Sequence, residues 1–348
     1  MQALIDQVKD AYAARRVLQI RGGGSKDWYG NAAQGSIIDV SGHCGIVEYE
    51  PAELVLTAKA GTTLEEIETV LAANNQMLSF EPPHYGDSAT LGGTLACGMS
   101  GARRPYSGSA RDAVLGVQII DGRGDLLNFG GKVIKNVAGY DISRLTVGAL
   151  GTLGIILQAS VKVVPRPATT VTLQYELDQA ASIVLMNELA GRPLPLTAAA
   201  WIGGTLRLRL EGSAAAVHGA QTKLGGEILA HDEIFWLAAR EQTAPFFADD
   251  TPLWRLSVPP TAPPLDLPGK QAVTWGGAQR WLKSAAPAEL IFAAAAKLGG
   301  HAALYRGACP PAGVFQALPA AIVALHRRLK TQFDPHGILN RGRLYPEF

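Results

Sequence analysis

Between Gly86 and Gly108 the chain is built mostly from glycine, alanine, serine and threonine, with no regular apolar period. Inside a compact domain such a stretch is uncommon unless it wraps something. The sequence before it alternates strand-like and helix-like segments. Any fold for this chain must therefore set a long glycine-rich segment against a sheet, a ligand or both.

The flanking elements read clearly. Val17–Ile20 is a short apolar strand running into Arg21-Gly22-Gly23-Gly24-Ser25. Ser36–Val40 and Leu54–Ala60 are further strands. Gly61-Thr62-Thr63 opens a helix with Leu64, Ile67 and Leu71 on one face, and both Thr62/Glu65 and Thr63/Glu66 have capping-box spacing. Val114–Ile120 and Leu126–Phe129 flank a hairpin turn at Asp121-Gly122-Arg123-Gly124. Leu153–Val164 is a buried strand, and Pro165-Arg166-Pro167 marks a boundary. The expected domains are 1–167, 168–312 and a C-terminal segment, 313–348.

The middle region has a β-α-β-β-α-β order over Thr169–Leu177, Ala180–Ala190, a hairpin Ala198–Leu210 turning at Gly203-Gly204, Ala214–Leu224 and Glu227–Ala230. That order predicts a split, ferredoxin-like α+β unit. Trp201 with Lys223-Leu224-Gly225-Gly226 echoes Trp275 with Lys297-Leu298-Gly299-Gly300, a weak internal repeat. The proline-rich stretch Val258–Pro268 reads as a surface loop.

Bulk properties exclude several roles. A formal charge of +1 gives no field for nucleic acid or an anionic membrane. The three cysteines Cys44, Cys97 and Cys309 form no CxxC pair, which argues against a metal ribbon or an iron–sulfur cluster and fits a reducing cytoplasm. No metal site is expected. The N-terminus has no apolar core of a signal peptide, and no apolar run reaches the length of a membrane span. Membrane association is expected only through partners.

Three motifs carry possible chemistry. In Arg21–Ser25, successive backbone N–H groups can converge on an anion such as a pyrophosphate, because no side chains intervene. A plain turn is the alternative. Neither G-x-G-x-x-G opening a helix nor G-x-x-x-x-G-K-[ST] is present. The segment from Thr90 to Gly101, with Ser88, Thr90, Thr94 and Ser100 as hydroxyls, can lay amides along a flat polar group or simply pack on the sheet. Third come Lys135–Asp141 and the run Gly148–Ile156. Lys135 and Asp141 fit a surface ion pair.

In this order, RGGGS, ATLGGTLACGMSG, VLGVQIIDGRG, KNVAGYD and GTLGII resemble the FAD-binding domain of the vanillyl-alcohol oxidase type (PCMH-type). FDPHGILNRG is similar to that family's closing segment. GARRPYSGSARDAVLG and KNVAGYDISRL resemble most the FAD-binding E subunits of bacterial glycolate oxidases, or glycolate dehydrogenases. The resemblance implies a two-part FAD-binding domain with an α+β cap. It implies that Arg21, Gly22, Gly23, Gly24 and Ser25 cradle the FAD pyrophosphate. Thr90, Gly92, Gly93, Ala96, Gly98 and Gly101 would line the rest, with Tyr106 and Gly108 nearby. Gly151, Thr152, Gly154 and Ile155 would close the adenine and ribose side, and Asn340 would reach back from the C-terminus. Ser25 and Lys26 stand where some relatives carry a FAD-linked histidine, so non-covalent FAD is expected.

The resemblance also implies partners: a larger FAD-containing catalytic subunit and an iron–sulfur subunit, with this chain taking part in electron transfer from a 2-hydroxyacid. The histidine-rich metal segment of the hydroxyacid dehydrogenases is missing, and His218, His231 and His301 form no ligand pair. A self-sufficient glycolate or D-lactate dehydrogenase is the alternative. It would need Arg103, Arg104 or Lys135 as carboxylate anchor and His84 or Tyr140 as proton acceptor.

Overall fold

The computed structural model describes residues 1–131, 141–311 and 313–348. The described chain clusters into two units. One comprises Met1–Ser100, Gly108–Pro165 and Ala317–Phe348; the other comprises Gly101–Ser107 and Arg166–Gln316.

The first unit begins with α1 (Gln2–Ala14), β1 (Leu18–Arg21), β2 (Ser36–Asp39), β3 (Ile46–Glu50) and β4 (Val55–Lys59). Then come α2 (Leu64–Ala73), β5 (Gln76–Leu78) and α3 (Leu91–Cys97). The short α4 (Arg104–Ser107) belongs to the other unit. The chain returns with α5 (Ala110–Ala113), β6 (Val114–Ile120), β7 (Leu126–Gly130), α6 (Ile142–Thr146) and β8 (Ile155–Pro165). β1 and β2 pair in parallel. The main sheet runs β3-β4-β8-β6-β7, with β5 along the far end of β8. β8 is apolar at most positions because it is central and both faces are covered.

Helix α2 starts where the sequence predicts. Thr63, not Thr62, is its cap, accepting from Glu66 N at 3.1 Å. Thr62 is fully buried, and its hydroxyl accepts from Gly45 N at 2.8 Å. β3 and β5 carry no sequence signal: β3 is a charged edge strand, and β5 has three residues.

The second unit holds β9 (Thr169–Glu176), α7 (Gln179–Ala190), β10 (Leu196–Ile202), β11 (Thr205–Gly212), α8 (Ala214–Leu224), β12 (Glu227–Ile228) and α9 (Asp232–Glu241). It continues with β13 (Leu253–Ser257), β14 (Lys270–Thr274), β15 (Gln279–Lys283), α10 (Ala288–Lys297) and β16 (His301–Arg306). Its sheet order is β12-β9-β11-β10-β14-β15-β13-β16. Each half has the ferredoxin-like strand order, first-half strands 4-1-3-2 and second-half strands 2-3-1-4, joined where β10 pairs with β14. The internal repeat is therefore real at the level of topology. Gly203 and Gly204, at φ 63° and 88°, form the two-residue turn between β10 and β11.

The stretch Val258–Pro268 is not a free surface loop. It stands where the other half has α7, and Leu265 and Leu267 enter the core with Trp254 and Ile291. Fully buried Arg280 pins it, donating to Ala262 O at 2.7 Å and, at the hairpin, to Gly277 O at 2.6 Å.

The C-terminal helix α11 (Ala320–Phe333) leads the chain back to the first unit. Leu18 N donates to Ile338 O at 2.7 Å, and Asn340 N donates to Leu18 O at 2.9 Å. Lys330 lies off the solvated face of the helix that holds Arg327 and Arg328. It is buried against Asp334 at 2.8 Å and donates to the carbonyls of Thr152 and Leu339. Burial lowers its pKa, and Asp334 opposes that shift.

Candidate cofactor site

One cavity of the first unit gathers the glycine motifs. It encloses about 720 Å³, counting space open to solvent. Of the residues expected to bind, Gly22, Gly23, Gly24, Ser25, Thr90, Gly92, Gly93, Ala96, Gly151, Gly154 and Asn340 line it. Strand β1 delivers the glycine loop, α3 the Thr90–Cys97 wall, and the turn before β8 the third wall.

The glycines have different reasons to be glycine. A Cβ on Gly23 would sit 1.5 Å from Ser88 O, so this residue allows the loop to touch its own neighbour. A Cβ on Gly92 would meet Ala60 at 2.6 Å. Gly151, at φ 74°, sits in the left-handed region, with Asn340 against it. Gly93 is the exception. Its Cβ position meets only Thr90 Oγ1, at 3.2 Å, and otherwise faces open cavity. Thr90 caps α3 by accepting from Gly93 N.

The remaining expected residues lie elsewhere. Arg21 is exposed and pairs with Asp27 at 2.9 Å. Gly98, at φ 63°, terminates α3. Thr152 is buried, and its hydroxyl donates to Ala149 O at 2.7 Å. Ile155 is fully buried in the core with α1. Gly108, at φ 87°, lies against Asp112.

Gly101 and Tyr106 belong to the second unit. There Gly101 O accepts from Trp275 Nε1 at 2.8 Å, and Tyr106 packs on the core built around Leu173 and Leu208. Arg104 stacks on Trp275 at 4.4 Å. Buried Arg103 pairs with Glu211, which also holds Arg209 at 3.3 Å and accepts from Thr197. Both candidate carboxylate anchors in this segment are thus engaged inside the second unit.

Sequence reasoning missed several wall residues: Ile20, Lys26, Asp27, Val40, Cys97, Leu150, Ile156 and Arg343. Lys26 was discoverable, as it directly follows the loop. It is buried, and its ammonium donates to His84 O at 3.0 Å and Ser25 Oγ at 3.2 Å. Arg343 had no local signal. Its guanidinium donates to Asn31 O and Asp27 O, both at 2.7 Å. Burial lowers its pKa, with Cys97 and Asp27 opposing. Asn340 acts on both sides of the cavity: Nδ2 donates to Leu150 O at 2.6 Å, and Oδ1 accepts from Ile20 N at 2.7 Å.

His84 contacts Glu68 at 3.1 Å. Lys135 and Tyr140 lie outside the described residues. Asp141 caps α6, accepting from Arg144 N, and pairs with the Arg144 guanidinium at 3.0 Å. Among the described residues no group of His, Cys, Asp and Glu could hold a metal ion.

A cavity edged by the backbone of Gly22–Gly24, Gly92, Gly93 and Gly151, with Lys26 and Arg343 as cations, suits an anion such as a pyrophosphate. The open face of Gly93 leaves room for such a ligand. Fold and site thus define a flavin-dependent oxidoreductase with FAD as its cofactor. Residues 1–130 match the family described as FAD binding domain. The chain is 46% identical over 346 residues, 99% of its length and 97% of the relative's, to the glycolate oxidase subunit GlcE of Escherichia coli K12. It belongs to the family of that glycolate oxidase subunit. It is also 36% identical over 155 residues to the glycolate oxidase subunit GlcD of Bacillus subtilis, covering 44% of this chain and 33% of that one. Alkyldihydroxyacetonephosphate synthase shares the fold, with a TM-score of 0.70 at 16% identity over 97% of this chain and 74% of that one.

Proposed function

We propose that this chain is the smaller FAD-carrying subunit of a glycolate-oxidising complex. In it the chain takes part in electron transfer from a 2-hydroxyacid to an iron–sulfur subunit, beside a larger FAD-containing catalytic subunit. The observation that carries this reading is the full-length likeness to a glycolate oxidase subunit. Bound FAD supplies hydride acceptance and one-electron release.

The chain's own residues do the binding. The amides of Gly22–Ser25, with Lys26 and Arg343, hold the pyrophosphate non-covalently. Gly93 leaves space along α3, and Asn340 fixes the spacing of the walls. Arg21, Gly98, Gly108, Thr152 and Ile155 lie outside the cavity lining and act indirectly, by shaping the segments that carry the wall; Gly101 and Tyr106 belong to the second unit.

Two of the three candidate carboxylate anchors, Arg103 and Arg104, are engaged by Glu211 and Trp275, which favours the relay reading over a self-sufficient dehydrogenase. No helix among the described residues is long and apolar enough to cross a membrane. We place the protein in the cytoplasm, at a membrane only through partners.

The test is anaerobic mixing of glycolate with the FAD-loaded chain, alone and with the larger subunit. The relay reading expects bleaching of this chain's flavin only with the larger subunit present. Rapid bleaching of the isolated chain would establish the self-sufficient dehydrogenase instead.

A further inference from the structure

A second cavity of the first unit, about 730 Å³ counting space open to solvent, lies against α11 and is lined mainly by apolar groups, among them Leu145, Val147, Leu153, Leu329, Tyr345 and Phe348. Helix α11 carries Ile322, Leu325, His326 and Leu329 at i, i+3, i+4 and i+7, which is one face. His326 and Leu329 line the cavity, so Ile322 and Leu325 continue the same stripe outward. They are 40% and 59% exposed, and Leu145 at the cavity margin is 45% exposed. An exposed Leu145 lining the apolar cavity, and a stripe that runs on from His326 and Leu329 to exposed Leu325 and Ile322, have the character of an interaction site.

Charge points to the occupant. Among the described lining residues the ionisable side chains other than tyrosine are Arg111, His326 and Lys330, with no aspartate or glutamate. Lys330 is neutralised by Asp334. Arg111 at the cavity and Arg327 and Arg328 around Leu325 are exposed cations, against one exposed anion, Glu347, between the lining Tyr345 and Phe348, so the surroundings are net positive. The complement is an apolar segment flanked by acidic residues. Position adds a reason for a redox partner. The loop lining this cavity with Val147, Gly148, Ala149, Thr152 and Leu153 lines the cofactor cavity with Leu150, Gly151 and Gly154. Arg343 faces the cofactor cavity, and Leu344 and Tyr345 line the second one.

We propose that the Ile322–Leu325–Leu329 stripe and the cavity it enters dock an apolar, acid-flanked segment of the larger flavoprotein subunit. The docked segment lies behind the loop that borders FAD. This rests on the complex proposed above.

The test is affinity capture of the larger subunit by the full-length chain, both co-expressed with the iron–sulfur subunit. Leu325→Asp and Leu145→Asp should each cut recovery at least tenfold, with FAD content and far-ultraviolet spectrum unchanged. The milder Leu325→Ser should act in the same direction. Val184→Asp, on the exposed face of α7 in the other unit, should capture as the wild type does. Wild-type recovery by both Leu325→Asp and Leu145→Asp overturns the proposal. So does self-association of the chain alone that the same variants abolish, since that gives the face to a second copy. If the wild-type chain itself retains no larger subunit, the proposed complex fails as well.

Discussion

Replacing Gly93 with alanine should move two quantities in opposite directions. Gly93 lies in the first turn of α3, and alanine there removes glycine's conformational penalty of about 0.5–1 kcal/mol. The new Cβ meets only Thr90 Oγ1, at 3.2 Å, which can give by a few tenths of an ångström. The apo protein should therefore be as stable as wild type or more so. The same methyl projects into the cavity along α3 that we propose holds FAD. Overfilling a formed site costs about 1–3 kcal/mol, or roughly 5- to 150-fold in Kd. Gly23→Ala is the contrasting variant. Its Cβ would lie 1.5 Å from Ser88 O, so backbone must move and stability and FAD binding should fall together. The assays are urea denaturation of the apo chain and fluorescence titration with FAD. Wild-type FAD affinity in Gly93→Ala, or wild-type stability in Gly23→Ala, would refute the separation of ligand-facing from self-packing glycines.

Asn340→Ala strands Ile20 N–H and Leu150 C=O in a buried site, so it should cost about 2–4 kcal/mol in urea denaturation and lower FAD retention. Glu211→Ala leaves Arg103 and Arg209 buried without their carboxylate and should destabilise the second unit by about 3–5 kcal/mol, seen as an early transition in thermal unfolding. The Tyr106 hydroxyl is buried without a hydrogen-bond partner among the described residues, and burial pushes its pKa up to about 12 from 10.0. Between those values the folded chain keeps the proton that the unfolded chain loses, so the group's contribution is intact below pH 10 and is lost on the way to pH 12. Tyr106→Phe should match or exceed wild-type stability at pH 8 and lose less stability by pH 11, as read by denaturation at both.

Much of the architecture is legible in the sequence because its signals are local. Apolar runs give β4, β6 and β8, the cap at Thr63 gives α2, and the glycine pair Gly203-Gly204 gives the β10–β11 hairpin of the second unit. The glycine loop and the Thr90–Ala96 wall converge because both are continuous segments. What was hidden depends on distant partners. The motif beginning at Thr90 continues without a break in composition through Gly101 and Tyr106, yet those residues pack with Trp275 and the Leu173 core of the other unit. Nothing near Arg343 marks it as a wall residue; it is placed by the return of Ile338–Asn340 to β1. Lys330 follows Arg327 and Arg328 on one helix with nothing local to set it apart, and it is Asp334, one turn on, that pairs with it inside.

The central claim is that the cavity bounded by Gly22–Lys26, Thr90–Cys97, Leu150–Gly154 and Asn340–Arg343 holds FAD. Titrating the apo chain with FAD, followed by visible absorbance and by acid precipitation, tests it directly. One FAD bound per chain and released into the acid supernatant is the predicted result. A chain that stays colourless in excess FAD, or that keeps its flavin in the precipitate, would contradict the account.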